Sequence, residues 1–204
     1  MKIFTPSITR RTASALLAAL SLSAGIGMAL AAEPTAPKVK FATSEGDFVV
    51  EVYPDKAPKT VENFLQYVKD KHYDETIFHR VIENFMVQGG GYDSGYAEKK
   101  TRAPVVHEGR EALAKGGPKN VVGTLAMART NDPNSATSQF FINVKDNDFL
   151  NPSTQAPGYT VFGKVVSGMD VVNKIKAVPT GAGGPFPSDV PRTPVVIKSA
   201  TLVN

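Results

Sequence analysis

Short apolar runs, rich in β-branched and aromatic residues, recur along the chain and are separated by Gly-, Pro- and Asn-rich intervals. Such runs predict β-strands, and the intervals predict turns and loops. The first two runs, at 39–43 and 48–52, are joined by the Ser-Glu-Gly-Asp segment 44–47, which is typical of a hairpin. Further strands are predicted at 76–81, 85–88, 121–128, 139–144, 160–166 and 194–202. The Gly- and Pro-rich segment 181–187 is predicted to be a flexible loop.

Two other segments repeat apolar residues at helical spacing. The first begins near Pro58, which suits the first turn of a helix because a missing N–H costs nothing there. Its apolar residues follow the i, i+3, i+4, i+7 pattern: Val61, Phe64, Leu65 and Val68. The second segment follows Gly168 and places three apolar residues on one face: Met169, Val172 and Ile175. Both are predicted to be amphipathic helices.

The order of these elements predicts the fold class. Most of the strands lie between the two helices, so strands and helices do not alternate as they do in a parallel, doubly wound sheet. The prediction is a mainly β domain: a closed eight-stranded antiparallel β-barrel capped by two α-helices. Closure of the sheet also removes exposed strand edges.

The N-terminus differs from the rest of the chain. Basic residues at positions 2, 10 and 11 precede an apolar stretch at 13–30 and an Ala-Leu-Ala sequence at 29–31. This order is typical of a secretory signal peptide cleaved after Ala31. A retained membrane anchor is the alternative, because the stretch is nearly long enough to span a bilayer. Its Ala-, Ser- and Gly-rich composition and the cleavage site favour removal. The general secretory route is favoured over the twin-arginine route, because a protein with no evident cofactor has little need to be exported folded.

The predicted organisation is a cleaved signal peptide at 1–31, a short Pro-rich tether at 32–38 and one domain at 39–204. Cleavage removes three basic residues and no acidic one, so the 23 basic residues fall to 20 against 19 acidic residues. This near-neutral balance disfavours a nucleic-acid-binding surface. No stable membrane insertion is expected after cleavage. The basic residues Lys99, Lys100 and Arg102 are expected to be solvated, with a partner-binding role as the alternative.

The chain contains no cysteine, which excludes thiol catalysis, disulfide exchange and lipid attachment through a lipobox cysteine. The spacing of His72, His79 and His107 matches no zinc motif, so neither a metal nor another cofactor is predicted. His79 adjoins Arg80 in a predicted strand and therefore faces the opposite side of the sheet. A buried, hydrogen-bonded histidine is expected there.

Two pairs of motifs carry the candidate chemistry. F-H-R-V-I at 78–82 is followed by N-F-M-V-Q-G-G at 84–90, and G-T-L-A-M-A at 123–128 is followed by S-Q-F-F-I at 138–142. Strand alternation predicts that Phe78, Arg80 and Ile82 share one side. With these motifs and the V-F-G-K-V-V-S-G-M-D-V-V stretch at 161–172, the chain closely resembles the cyclophilins over its whole mature length. The export signal makes it most similar to the periplasmic proline isomerases of Gram-negative bacteria.

The resemblance implies a barrel with its substrate groove on the outer face. It implies that Arg80 is the main catalytic residue and that Gln88 helps to position the substrate and the arginine. The pocket for the proline ring is assigned to Phe85, Met86, Phe141 and Leu150. The adjoining groove is assigned to Ala128, Arg129 and Gln139, with Arg129 acting mainly through its backbone, and the rim to Phe149 and Tyr159.

The activity implied is cis-trans isomerisation of Xaa-Pro bonds by a monomer in the periplasm, on unfolded or partly folded proline-containing polypeptides. A proline-peptide-binding or chaperone module with incidental catalysis is the alternative. Two positions depart from the eukaryotic pattern of the family: Phe149 stands where that pattern has Trp, and Tyr159 where it has His. The Trp indole N–H contributes to cyclosporin binding in that group, and Phe has no donor to replace it. Weak cyclosporin binding is therefore expected.

Overall fold

The computed structural model of the protein describes residues 36–203. The predicted signal peptide at 1–31 lies outside the described residues, as does most of the tether, so both stay predictions. Within residues 36–203, no helix is both long and apolar enough to cross a bilayer.

Eleven strands and three α-helices make up the described part of the chain. The strands are β1 Lys38–Thr43, β2 Gly46–Val52, β3 Thr76–Ile77, β4 Arg80–Ile82, β5 Met86–Gly89, β6 Thr124–Met127, β7 Phe140–Asn143, β8 Val161–Ser167, β9 Thr180–Gly183, β10 Phe186–Pro191 and β11 Val196–Val203. The helices are α1 Pro58–Lys69, α2 Gly109–Ala114 and α3 Met169–Lys176. Two short 3-10 turns lie at Pro133–Ser135 and Asp148–Leu150.

Nine strands form one antiparallel sheet in the order β3-β11-β1-β2-β8-β6-β7-β5-β4. The two edge strands of this order, β3 and β4, are consecutive in the chain and are separated only by Phe78 and His79. The sheet is therefore curled so that the end of β3 comes close to β4 and β5, while its closure into a barrel stays a prediction. Gly89 on β5 marks the close approach, because a Cβ there would lie 2.9 Å from the Ile77 carbonyl oxygen at the end of β3. The mainly β, antiparallel prediction is confirmed, and β3 and β4 together occupy the place of one predicted strand.

The interruption between β3 and β4 corrects one prediction. The backbone N–H of Phe78 donates to the Val195 carbonyl, and the Phe78 ring is fully buried in the main core, edge-on to Phe140. Arg80 and Ile82 point away from that core. The expectation that Phe78 shares their side is wrong, because the alternation of the strand is broken where the chain crosses from one sheet edge to the other.

An aromatic core fills the curled sheet beneath α1. Phe41 stacks on Phe48 with ring centroids 5.0 Å apart, and Phe64 of α1 lies 5.1 Å from Phe162. Three residues of the predicted apolar face of α1 are buried and Leu65 is half-buried against the same core, which confirms the helical spacing. Burial of this face is the main contribution to holding the helix, since short helices are marginal by themselves.

Two elements were not predicted. The first is helix α2, which has only six residues. The second is a hairpin formed by β9 and β10, which lies in the segment expected to be a flexible loop. The hairpin is held by Phe186, whose ring lies 5.3 Å from His79 and 5.2 Å from Tyr92. Packing of one aromatic residue against two others therefore gives structure to a segment whose composition predicts none.

The basic cluster is only partly solvated. Lys100 is exposed, as expected. The Lys99 ammonium instead donates to the carbonyls of His72 and Asp74 at 2.6 and 3.0 Å, and Arg102 pairs with Asp70. The expectation of solvation is wrong for Lys99, whose side chain connects two loops.

Candidate functional site

A second apolar cluster lies on the outer face of β5, β6 and β7, opposite the main core. Strand alternation separates the two: Phe140 and Val87 face the core, while Phe141 and Met86 face outward. The outer cluster consists of Met86, Ala126, Phe141, Leu150 and Val161, with Ile82, Phe85, Ala128 and Tyr159 packed against it. The five residues of this cluster are buried, whereas the four packed against them are only partly buried, so the cluster is accessible from the outer face through these four.

A cleft of about 120 Å³ opens over this cluster, and we call it the Arg80 cleft. Nine residues line it: Arg80, Phe85, Met86, Gln88, Ala128, Arg129, Phe141, Leu150 and Tyr159. All nine belong to the eleven site residues that the sequence predicts. They come from β4, β5, β7, the turn between β4 and β5, and the segments that follow β6 and β7, so only the fold brings them together.

The other two predicted residues lie beside the cleft. Gln139 lines a neighbouring pocket of about 350 Å³ and accepts a hydrogen bond from Gln88 Nε2 at 3.0 Å. Phe149 is 72% exposed at the rim, where its ring stacks on Phe85 at 5.6 Å. The roles assigned to all eleven residues stay predictions.

Arg80 is positioned by strand pairing. It lies on β4 directly opposite Gln88 on β5, so both side chains leave the sheet on the same face. Its guanidinium carbon is 6.0 Å from the centre of the Phe85 ring. Among the hydrogen bonds and ion pairs of residues 36–203, none involves the Arg80 side chain. Its donors are therefore available to a molecule in the cleft.

In Arg129, by contrast, each of the three guanidinium nitrogens donates a hydrogen bond. Its Nε and Nη2 donate to the Gly158 carbonyl at 3.1 and 2.8 Å, and Nη1 donates to the Thr130 carbonyl at 2.7 Å. The guanidinium also lies 4.5 Å from the centre of the Tyr159 ring. A guanidinium occupied in this way leaves mainly the backbone of Arg129 for contact with a ligand.

His79, next to Arg80, is buried as expected, with its ring against those of Tyr92 and Phe186. The expected hydrogen bond is not made by Nδ1, which has no partner within the described residues. Burial, together with the adjacent Arg80 charge, lowers the pKa of His79 to about 4. The ring is therefore neutral at physiological pH and adds no charge beside the cleft.

A buried asparagine network, which the sequence did not reveal, supports two walls of the cleft. Asn147 Nδ2 donates to the Phe85 carbonyl at 2.9 Å and to Asn143 Oδ1 at 2.7 Å. Asn120 Nδ2 donates to the Leu150 carbonyl at 3.2 Å. Asparagines are common in turns, and only their burial and partners distinguish these from ordinary loop residues.

Comparison with known families gives one match over most of the chain. The family described as "Cyclophilin type peptidyl-prolyl cis-trans isomerase/CLD" matches residues 38–202.

Curated relatives agree with this match. Peptidyl-prolyl cis-trans isomerase B of Escherichia coli K12 is 54% identical over 167 residues, covering 80% of this chain and 98% of the relative. Peptidyl-prolyl cis-trans isomerase A of Dickeya dadantii is 46% identical over 196 residues, covering 96% of this chain and 99% of the relative.

Solved structures share the fold. A cyclophilin type peptidyl-prolyl cis-trans isomerase of Cryptosporidium parvum superposes with a TM-score of 0.66 at 26% identity, covering 83% of this chain and 98% of that one. The same protein in the presence of the dipeptide Ala-Pro gives a TM-score of 0.64, covering 82% and 99%.

Proposed function

This chain belongs to the cyclophilin-type peptidyl-prolyl cis-trans isomerase family, and we propose that it uses the Arg80 cleft to isomerise Xaa-Pro bonds in exported polypeptides. The isomerase activity itself follows from relatives of that name at up to 54% identity over most of the chain. The proposal adds the roles of the cleft residues and the place where the enzyme acts.

The chemistry requires rotation about a bond rather than cleavage of one. Delocalisation of the nitrogen lone pair into the carbonyl creates a barrier of about 18–20 kcal/mol to rotation. In the twisted state this lone pair is localised on nitrogen, so a cationic donor near the nitrogen and the proline carbonyl stabilises that state. Arg80 is always charged and carries a rigid fork of donors, which suits this role. The other cleft arginine, Arg129, is already engaged by carbonyls.

The apolar walls of the cleft hold the proline ring of the substrate while the carbonyl of the residue before proline rotates. The side chains that line this part of the cleft are apolar, which suits the proline ring and excludes water: Phe85, Met86, Phe141 and Leu150. Exclusion of water strengthens the interaction of Arg80 with the substrate, because the local dielectric falls. Gln88 is held by Gln139 and so presents a fixed amide beside the arginine.

One observation carries the assignment of roles. Among the described residues, the only cleft guanidinium without a hydrogen-bond or ion-pair partner belongs to Arg80, and it lines the same cleft as Phe85, Met86, Phe141 and Leu150. A pocket whose only role was to hold the proline ring would bind proline peptides without any need for the positive charge of Arg80.

The leader at 1–31 supports the proposal that the enzyme acts in the periplasm. Expressed with its leader in a Gram-negative host, the protein is expected in the periplasmic fraction with its N-terminus at Ala32, because the leader has the order of a cleaved signal peptide. A variant that lacks residues 2–31 is expected to stay in the cytoplasm and to retain isomerase activity. Full-length protein in the membrane fraction with an intact leader would contradict the proposal and favour the retained anchor.

Cyclosporin is expected to inhibit only at micromolar or higher concentration. Phe149 is exposed at the rim but offers no hydrogen-bond donor, whereas an indole would. The measurement is inhibition of the isomerisation rate by cyclosporin for the wild type and for Phe149→Trp. The Trp variant should be inhibited about tenfold more strongly, as one regained hydrogen bond predicts. Nanomolar inhibition of the wild type would show the expectation to be wrong.

A further inference from the structure

The Gly158 carbonyl accepts hydrogen bonds from two side chains of separate segments. Arg129 donates to it through Nε and Nη2, and His107 Nε2 lies 3.2 Å from the same oxygen. Gly158 is followed directly by Tyr159, which lines the Arg80 cleft. The carbonyl therefore joins a histidine outside the cleft to a residue that forms its wall.

The position of this carbonyl is tightly constrained by the loop. Gly158 has φ +66°, and a Cβ there would lie 2.6 Å from the Asn151 carbonyl carbon and 2.7 Å from the Leu150 carbonyl oxygen. Only glycine fits this backbone conformation and this space. The next N–H, of Tyr159, donates to the Leu150 carbonyl at 2.9 Å. Residues 158 and 159 are thus packed against the cleft residue Leu150. The Gly158 carbonyl points the other way, at His107 and Arg129.

His107 is held as one neutral tautomer. Its Nδ1 accepts a hydrogen bond from the Gly109 N–H at 3.3 Å, so the ring proton lies on Nε2, which then donates to the Gly158 carbonyl. A second proton on Nδ1 would face the Gly109 N–H and break that contact. It would also place a positive charge beside Arg129, which binds the same oxygen.

Arg129, the other residue that donates to the Gly158 carbonyl, also contacts Tyr159. The Arg129 guanidinium lies against one face of the Tyr159 ring, and Phe141 meets the ring edge-on at 5.5 Å. A guanidinium fixed by a carbonyl can hold an aromatic ring in place, whereas a mobile one cannot. Tyr159 and Phe141 together form one side of the cleft.

We propose that His107 is a positioning residue of the isomerase: its neutral ring fixes the Gly158 carbonyl, which orients Arg129 and thereby holds Tyr159 as the wall of the Arg80 cleft. This inference rests on the proposed function of the cleft. The hydrogen bonds of the His107 ring are to Gly158 and Gly109, so its influence on the cleft passes through the Gly158 carbonyl and Arg129. Loss of the His107 donor should loosen substrate binding and leave the rotation step largely unchanged.

The test compares KM and kcat for an Xaa-Pro peptide among the wild type, His107→Ala and His107→Gln. The alanine variant should raise KM about three- to tenfold, the range expected for one neutral hydrogen bond, with kcat changed less than about twofold. The glutamine variant carries a side-chain amide donor and should return KM towards the wild-type value. His72→Ala is the matched control, because His72 is a histidine that packs on Tyr67 away from the cleft.

A pH series provides a second readout. Burial keeps the pKa of His107 below its ordinary value, aided by the charges of Arg129 and Arg110 and opposed by the hydrogen bond to the Gly158 carbonyl and by the charge of Glu108. The wild-type KM should therefore be constant near neutral pH and rise as the pH falls below about 6.5, the ordinary His value. The KM of His107→Gln should lack this rise.

Ring signals of Tyr159 in NMR spectra provide a readout that needs no activity. They should shift in His107→Ala and return towards their wild-type positions in His107→Gln. Unchanged KM and unchanged Tyr159 signals in His107→Ala would overturn the inference, and so would changes that the glutamine variant does not reverse. A wild type that binds the peptide without accelerating isomerisation would contradict the proposed function instead, and the Tyr159 signals would still decide the role of His107.

Discussion

Replacement of Arg80 by alanine is expected to lower kcat/KM for an Xaa-Pro peptide at least tenfold, and by about a hundredfold if Arg80 resembles other preorganised donors. A hundredfold loss corresponds to about 2.7 kcal/mol of transition-state stabilisation. The reason is that the Arg80 guanidinium has no hydrogen-bond or ion-pair partner among the described residues and lines the same cleft as the apolar side chains proposed to hold the proline ring.

The fold should survive this change. Arg80 is half-buried, and none of the described hydrogen bonds or ion pairs depends on its side chain. The circular dichroism spectrum and the melting temperature of Arg80→Ala should therefore match the wild type. Arg192→Ala is the matched control, because Arg192 is an exposed arginine that follows β10, outside the residues that line the cleft. Its kcat/KM should equal that of the wild type.

The same variant separates catalysis from binding. If the protein is a proline-peptide-binding or chaperone module with incidental catalysis, Arg80→Ala should keep its affinity for the peptide, and the small rate enhancement of the wild type should fall little. Titration of both proteins with the peptide measures this affinity directly. A well-folded Arg80→Ala protein with wild-type kcat/KM would remove Arg80 from the mechanism.

The cleft could be predicted from sequence because its residues lie in motifs whose order and spacing match a known family. Physical patterns alone would have placed Phe85, Met86, Phe141 and Leu150 in the core, since apolar side chains are usually buried there. The alternation of β5 and β7 explains the outcome: one residue of each Phe-Phe or Met-Val pair faces inward and the other outward. Strand periodicity predicts that the two faces differ, but not which face meets water.

The elements that were missed are held by contacts between distant residues. Helix α2 has six residues, too few for a helical period, and hairpin β9–β10 lies in a Gly- and Pro-rich segment. His107 and Asn147 likewise gain their roles from partners 51 and 62 residues away in the chain. A pattern read along one segment carries no information about such partners, so these features become visible only in the folded chain.

Helix α1 depends on one such distant contact, because its own sequence provides no cap. Ala57 precedes the helix and offers no side-chain acceptor, and the first turn carries no acidic residue. The Glu108 carboxylate takes this role: it accepts from the N–H of Thr60 at 2.8 Å, from the Thr60 hydroxyl at 2.7 Å and from the Lys59 N–H at 3.2 Å. The N–H groups of Lys59 and Thr60 are the ones that a local N-cap side chain would satisfy.

Glu108→Ala is therefore expected to destabilise the protein by about 2–4 kcal/mol. Glu108 is only 4% exposed, so its removal leaves the N–H and the hydroxyl of Thr60 buried without a partner, whereas Lys59 is exposed and water can reach its N–H. It also removes a negative charge from the positive end of the helix dipole, which by itself contributes up to about 2 kcal/mol when partly buried. The measurement is urea unfolding of the protein, with the free energy of unfolding extrapolated to water.

Two further variants distinguish capping from simple loss of charge. Glu111→Ala removes an exposed carboxylate three residues away and should change the free energy of unfolding by less than about 0.5 kcal/mol. Glu108→Gln keeps one acceptor oxygen for the helix but loses the charge, so its stability should lie between those of the wild type and Glu108→Ala. If Glu108→Ala were as stable as Glu111→Ala, water must satisfy the first turn of α1 as well as the carboxylate does, and the helix would be held by its apolar face alone.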